Sequence, residues 1–529
     1  MSSASLTMDA MPESRPAINP WIIAVVVTMA TFMEVLDTSI ANVALPHIAG
    51  NLSAGTDEST WVLTSYLVSN AIVLPLSGWI SSIIGRKRFY MTCVAIFTIS
   101  SFLCGIAPNL GMLIFFRVLQ GAGGGGLQPS EQSILADTFP PAKRGMAFAV
   151  YGLAVVMAPA IGPTLGGWIT DNYNWRWIFF INIPVGMLSL LLTSRLIQDP
   201  ANVVRKKFSE MKVDYVGLGF LALGLGTLQV ILDKGQRDDW FESHFILTLA
   251  VISAAALIFT LFWEWKHKDP IIDLHLFKDR TFAMANLMMF MVGFTLLSST
   301  LLLPQFTQTL LGYTAERAGE ALTPGGLTLV VLMPLVGFLL TRYDPRRLVV
   351  FGFISVSTSL FFMTHFNLDV DFRTLTIARM LQAGGLGFLF VPINTMAYSY
   401  LPRNKNNNAS GLINLSRNIG GSVGISVVTT MLERRTQHHL VNMSSHLSPA
   451  NPNMQRTLQG MSQALQARGF SSPDAMHRAY MLMQNTVFRQ AAMLAYIDNF
   501  WMLAIGILCM VPLVFLMKRP QAGGSIAVH

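Results

Sequence analysis

Chief among the charged side chains inside runs of otherwise apolar residues are Glu34, Asp37, Arg117 and Arg417. On insertion scales, a charge at the centre of a bilayer costs about 2.5–3.5 kcal/mol. A chain that keeps such charges pairs them, solvates them or uses them. Glu34 and Asp37 are three residues apart and share nearly one face of a helix. If both line one cavity, they titrate as a coupled pair. Burial favours the neutral form of a carboxyl and a nearby cation favours the charged form. Those opposed influences suit a group that loads and unloads a proton.

Stepping outward to the elements that hold these residues, the composition defines the class. Of 529 residues, 52% are hydrophobic and 12% charged, whereas a soluble domain carries about 25% charged residues. The apolar excess excludes disorder, and three cysteines exclude a disulfide scaffold. Cys93, Cys104 and Cys509 are expected to serve as buried packing. About fourteen stretches are long and apolar enough to cross a bilayer. They run roughly 21–43, 58–80, 88–107, 111–136, 146–169, 176–196, 214–233, 244–264, 282–304, 321–341, 348–366, 374–399, 408–431 and 496–517. Their continuous hydrophobicity excludes a β-barrel, whose strands alternate. The expectation is an all-α polytopic membrane protein.

Lys and Arg set the orientation. Basic clusters such as Arg86-Lys87-Arg88, Lys143-Arg144, Arg205-Lys206-Lys207, Arg346-Arg347 and Lys518-Arg519 fall on alternate loops. This bias puts both termini in the cytoplasm. The net charge of +8 is thereby assigned to anionic lipid, not nucleic acid. The helical rise of about 1.5 Å per residue puts Asp37 about 24 Å along the first span and Arg117 about 10 Å below the outer surface. The two share a depth, so Asp37 is expected to carry a proton beside Arg117, or to make a structural polar bond. Glu34 stands open as a second proton site, a substrate-facing anion or a structural group. Arg417, near the midplane of its span, is expected to pair with Asp37 or Glu34 or to attract anionic substrate. Glu131, near the cytoplasmic end of the fourth span, is read as an interfacial polar residue in preference to a proton site. His438, His439 and His446 lack a second ligand set and are read as loop residues.

Span four opens with Arg117-Val118-Leu119-Gln120-Gly121 and span twelve with Arg379-Met380-Leu381-Gln382-Ala383. The matched Arg-x-x-Gln pattern predicts an internal repeat of two six-helix bundles. The domain reading is a cytoplasmic tail at 1–20, a first bundle at 21–196 and a linker with two inserted helices at 197–280. A second bundle follows at 281–529, with a long outer segment at about 432–495 and a short cytoplasmic tail. The outer segment is read as a docking element, with an unstructured loop as the alternative. Glycine runs at 217–219 and 123–126 carry no phosphate-loop Lys. The absence of a nucleotide site favours secondary transport over a pump driven by ATP.

Several segments resemble the major facilitator superfamily, and specifically its fourteen-helix drug:proton antiporter branch. Gly78-Trp79-Ile80-Ser81-Ser82-Ile83-Ile84-Gly85-Arg86-Lys87 is similar to the superfamily's loop signature, with Ser82 where the pattern has Asp. That departure weakens the case for a carboxylate latch on this loop. Arg117-x-x-Gln120-Gly121 resembles the motif linked in the family to proton handling. Gly152 and the run Pro159, Gly162, Pro163, Gly166 and Gly167 resemble the antiporter signature in span five. Its glycines are expected to let a neighbouring helix approach and its prolines to bend the span. Leu36 to Pro46, including Asn42, resembles the branch's span-one motif, although a neutral residue is expected where Glu34 stands. The resemblance implies a major facilitator fold with fourteen transmembrane helices and proton-driven export of hydrophobic or amphipathic drugs without a cofactor. It also implies an EmrA-like membrane-fusion adaptor, a TolC-like outer-membrane channel and an inner-membrane location. Gln120 and Asn42 join Arg417 as candidate substrate or charge-pair residues. Export of an endogenous metabolite or acidic compound is the alternative; a membrane-embedded enzyme or a passive channel is disfavoured.

Overall fold

Lipid offers no hydrogen-bond partner, so every backbone group in a span must be satisfied within the chain. The computed structural model meets that demand with helices. It describes residues 19–140, 143–197, 214–267, 270–401, 405–445, 447 and 451–518. Most of the tail expected at 1–20, the basic cluster at 205–212, Arg403, His446 and the final eleven residues fall outside the described set.

The first half holds α1 (Pro20–Asn51), α2 (Thr56–Ser59), α3 (Trp61–Ile84), α4 (Arg86–Gly105), α5 (Leu110–Gly124) and α6 (Leu127–Thr138). It continues with α7 (Arg144–Asn172), α8 (Trp177–Phe180) and α9 (Asn182–Leu196). The inserted pair is α10 (Tyr215–Lys234) and α11 (His244–Lys266). The second half holds α12 (Arg280–Thr309), α13 (Ala315–Leu339), α14 (Pro345–Met363), α15 (Phe372–Ala397) and α16 (Asn406–Ser444). It ends with α17 (Pro452–Gln466), α18 (Ser472–Leu508) and α19 (Val511–Val514).

Among the described residues, 12 helical stretches are apolar and long enough to cross a membrane, and 13 if the bent α7 counts as one span. α16 is too polar to pass that test, since it carries Asn406, Asn407, Asn408, Asn414 and Arg417. Two expected spans are composite. The fourth is α5 and α6, joined at Gly125-Gly126, and the sixth is α8 followed by α9. Prolines act as anticipated in α7, which bends by 44° between Arg144–Pro159 and Ile161–Asn172.

Within the first half α1 packs on α7 and α9, and α5 lies between α3 and α4. Within the second, α12 packs on α16, and α15 on α13 and α14. The halves meet along two seams, α7 with α13 and α3 with α16. The pair α10–α11 leans on the second seam: Lys234 donates to Thr60 Oγ1 at 2.5 Å, and Gln229 accepts from Ser422 at 3.1 Å. Outward apolar side chains such as Val251, Ile258 and Phe262 on α11 are exposed, as a lipid-facing surface requires.

α16 has 39 residues, about 58 Å at 1.5 Å per residue, whereas the hydrocarbon core is about 30 Å thick. Its outer part, α17 and the start of α18 form a helical projection, with Leu458 of α17 packed against Ala479 and Met483 of α18. The long outer segment is therefore structured through most of its length. His439 in it binds Asp498 at 2.9 Å, and no group of metal-ligating residues occurs among the described residues. Cys93 and Cys104 are buried, but Cys509 is exposed. It caps the end of α18 next to the exposed Leu508 and does not pack inward, which corrects the expectation for that cysteine.

Candidate functional site

The first-half core contains a carboxylate on α1 held from two other helices, α5 and α9. Arg117 Nη1 on α5 reaches Asp37 Oδ2 on α1 at 2.5 Å, with both side chains buried. Gln120 and Asn182 donate to Asp37 Oδ1 at 2.9 and 2.7 Å. Arg117 is itself fixed: its Nε donates to Val62 O at 3.0 Å, and its Nη1 to Gln120 Oε1 at 2.9 Å. Its guanidinium carbon lies 4.3 Å from the centre of the Tyr66 ring, a cation–π contact. The Arg-x-x-Gln spacing explains this geometry, since residues three apart share a helix face. Asn182 carries the N-terminal end of α9 to the cluster and also donates to Ser101 Oγ at 3.0 Å. The sequence reading missed Asn182; its only signal is an amide in an apolar span.

One turn inward lies a second cluster. Glu34 is buried and accepts from Gln128 at 2.6 Å, Asn70 at 3.2 Å and Tyr66 at 3.4 Å. Arg417, from the opposite half, makes no ion pair with Asp37 or Glu34. It reaches Glu34 through Gln128, to which it donates directly, and it donates to Tyr151 at 2.9 Å. This corrects the expected direct pair: α16 stands across the interface, and the Gln128 amide occupies the space between the two charges. The cross-half network continues inward. Tyr151 bonds Asn414 at 3.1 Å, Asn414 bonds Gln132 at 2.9 Å, and Tyr398 bonds Gln132 at 3.0 Å. Gln128, Gln132, Tyr151 and Asn414 were not singled out from sequence because isolated amides in apolar helices carry no spacing signal.

Two candidates separate from this centre. Asn42 lies on the outer part of α1 with its side chain exposed, since it is not in register with positions 34 and 37. Glu131 was read as interfacial, yet it is fully buried inside the first half and accepts from Thr28 at 2.5 Å. Sequence position gave its depth along the helix but not which way it faces.

The repeat is also visible. Arg379 on α15 donates to Gln382 Oε1 at 2.6 Å, and to Ser299 and Thr300 on α12 at 3.3 and 3.2 Å. Hydroxyls thus take the place that Asp37 holds in the first half. The acidic partner exists on one side only.

Gly162 and Gly166 press against α1: a Cβ on Gly162 would collide with Ser39, and one on Gly166 would come within 3.1 Å of Ile40. Gly152 faces Phe390 of the other half, 2.8 Å from an added Cβ. Gly167 has nothing within 4 Å. It therefore does not belong to the seam, because one residue on from Gly166 it points off that face.

At the end where α3 passes into α4, Gly78 lets α3 meet α16, where an added Cβ would stand 3.0 Å from the Asn407 backbone. Gly85 closes α3 at φ 90°, a conformation other residues resist. Arg86 pairs with Asp137 of α6, and Lys87 donates to Ser194 O at 2.7 Å. A carboxylate does latch this loop, but it comes from α6 and not from position 82. Ser82 caps its own helix turn at Trp79 O, 2.7 Å away.

A polytopic helical chain whose two halves meet around a buried polar core is a membrane transporter in class. The profile of the Major Facilitator Superfamily matches residues 27–425, and the chain belongs to that superfamily. It is 38% identical over 505 residues to Multidrug export protein EmrB of Escherichia coli strain K12, covering 95% of this chain and 96% of that protein. It is 39% identical over 498 residues to Fatty acid resistance protein FarB of Neisseria gonorrhoeae, covering 94% and 96%. The solved structure of the proton:xylose symporter XylE bound to 6-bromo-6-deoxy-D-glucose shares the fold at a TM-score of 0.57 and 12% identity, covering 91% of this chain and 95% of that one.

Proposed function

We propose that this chain is a proton-coupled antiporter. It exports hydrophobic or amphipathic drugs across the bacterial inner membrane, through fourteen spans that include α16 and with both termini in the cytoplasm. The observation that carries the reading is Asp37, a buried carboxylate held by Arg117, Gln120 and Asn182. The export assignment draws on EmrB-named relatives of nearly full length.

Protonation of Asp37 removes the charge that Arg117 is paired with. A buried cation left uncompensated is costly, about 3–5 kcal/mol when one partner of such a pair is removed. The strain is relieved if α1 and α5 shift against each other. α1 also packs on α7, which forms a seam with the second half. A proton on Asp37 is thereby linked to rocking of the halves, and drug binding to the proton's release. No bound cofactor takes part; the proton gradient drives the cycle. In reconstituted vesicles, adding drug to the wild type moves protons. Asp37→Asn binds drug but loses proton-coupled efflux; full coupling in that variant refutes the assignment.

The outer projection is assigned to an adaptor of the membrane-fusion type, leading to an outer-membrane channel. A cleft of about 880 Å³ at its base, lined in part by Glu433, Gln437, Asn485, Phe488 and Arg489, offers a mixed polar and aromatic surface.

A second reading, export of acidic amphiphiles, is favoured by Arg417. Its hydrogen-bonding partners, Gln128 and Tyr151, are both neutral, and one relative is named for fatty acid resistance. Arg417→Gln losing export of acidic compounds alone supports this reading, and equal loss across all compounds removes it.

A further inference from the structure

Glu131 is a buried charge beside the proton site above that the site does not use. It is fully buried, its Oε1 accepts from the Thr28 hydroxyl at 2.5 Å, and its Oε2 has no partner. Among the described residues it makes no salt bridge. A buried carboxylate is costly as a lone anion unless it is paired, hydrogen-bonded or neutral. One hydroxyl donor does not compensate a full charge. Buried polar groups nearly always find partners, so an orphaned oxygen calls for a role.

The surroundings supply one. On α1, Thr28, Thr31, Glu34 and Asp37 follow at intervals of three and form a ridge that winds about the helix, with Thr28 and Glu34 meeting α6 and Asp37 turned to α5 and α9. On α6, Gln128 and Glu131 repeat the same interval. Gln128 donates to Glu34, and Thr28 donates to Glu131, so the two helices face each other rung by rung. Between those rungs stands Thr31, whose buried hydroxyl faces the Glu131 carboxyl without closing a full hydrogen bond on it. Three carboxyls are thus stacked inward from Asp37, through Glu34, to Glu131.

We propose that Glu131 is a second proton-binding site, reached from Asp37 through Glu34 along this ridge and opening to the cytoplasm. The proposal rests on the proton-coupled reading above. In the transfer, the O–H bond of the Glu34 carboxyl breaks as one forms at Glu131 Oε2, with the Thr31 hydroxyl accepting from the first and donating to the second. Glu34 is left as a carboxylate with the Gln128, Asn70 and Tyr66 donors already on it. Nothing is oxidised or reduced. The other titratable or charged groups facing the relay are Arg117 on α5, paired with Asp37, Tyr66 on α3, Tyr90 on α4, Tyr151 on α7 and, through Gln128, Arg417 on α16. Tyr90 donates its hydroxyl hydrogen bond to Val27 O at 2.9 Å, so that hydrogen is not offered to Glu131.

The test is the number of protons moved per drug by purified full-length protein in vesicles, using a fluorescent hydrophobic cation as the drug. Glu131→Gln keeps the acceptor for Thr28 and the side-chain volume. It is expected to melt with the wild type, to bind drug, and to move one proton fewer per drug. An unchanged proton count overturns the proposal and leaves the Asp37 reading intact. A wild type that moves no protons with drug overturns both. If Glu131→Gln does not fold, Glu131→Asp decides. It keeps a carboxylate one methylene shorter and is expected to shift the pH midpoint of transport; an unshifted midpoint overturns the proposal.

Discussion

Arg117 and Asp37 form a buried pair with no exposed atoms to screen it, so each residue's removal acts mainly through the charge left behind. Arg117→Ala is expected to destabilise the protein by about 3–5 kcal/mol, the usual cost of leaving one buried partner alone. Arg117→Gln combined with Asp37→Asn is expected to recover much of that loss, because two neutral amides can bond each other. Thermal unfolding of the four proteins in one detergent measures the coupling, and additive losses would show that the pair is not the source. The pair was legible in the sequence because both residues carry charge inside apolar runs and a fixed helical rise gives their depth. Asn182, Gln128 and Tyr151 were not legible, since a neutral polar residue inside a span has no such signature. Arg417 was legible as a charge but not in its partner, which depends on how α16 turns. Acidic caps outside the spans behave differently. Burial pushes the Asp344 carboxyl up, but the Arg346 side chain and backbone N–H outweigh it and hold the group below its ordinary 3.8. Its stabilising contribution is present above that ordinary value and is lost only as pH falls through the lower folded one. Transport that changes near neutral pH therefore reports on other groups, and Asp344→Asn is expected to leave the transport pH profile unmoved.

Helices in this protein touch where glycine removes the side chain between them. Gly162 of α7 faces Ser39 of α1 closely enough that even a methyl group collides, whereas Gly167 faces open space. Gly162→Ala is therefore expected to lose drug resistance and proton coupling, and Gly167→Ala to keep both. A resistance assay paired with proton flux in vesicles separates them; equal loss in both variants would mean that helix propensity, not contact, is responsible. The antiporter-like motif names both glycines alike; periodicity puts them on different faces of the piece Ile161–Asn172, but only the fold shows which face meets α1. The glycine run at 123–126 shows the same limit. It is not a phosphate loop, as its apolar setting indicated, but its use appears only in three dimensions: an added Cβ on Gly123 would sit 2.7 Å from Phe97 N, and one on Gly125 2.7 Å from Asn70 O. Of the fourteen stretches expected from hydropathy, 12 described helices pass as apolar spans, or 13 with the bent α7, while the polarity of α16 keeps it below that test and the break of the fourth into α5 and α6 left no hydropathy signal.

Across the whole molecule, the polar links between halves run from the central network to the end where α3 passes into α4. Asn407 of α16 donates to Ser81 Oγ of α3 at 2.9 Å and accepts from Ser133 of α6. Asn406 donates to Asp137 at 3.1 Å, and Asp137 also holds Arg86. These contacts close the inner ends of the two halves, and alternating access requires that they break in every cycle. A typical hydrogen bond contributes a net 0.5–1.5 kcal/mol, so losing two shifts the closed-to-open balance by about 1–3 kcal/mol. Each 1.4 kcal/mol is a factor of about ten, so Asn407→Ala is expected to raise the cytoplasm-open population roughly five- to hundredfold. Spin labels on the inner ends of α3 and α16 would read this as a longer distance in the drug-free protein. The same variant is expected to take up drug from the cytoplasmic side more readily but to turn over more slowly, because the closed state that must follow is less stable. Asn408→Ala is the control at the next position: its side chain faces Gly78 and is not among the bonds that tie Asn407 to Ser81 and Ser133. An unchanged label distance in Asn407→Ala would mean that helix packing along the α3–α16 seam, not this asparagine, keeps the inner side shut.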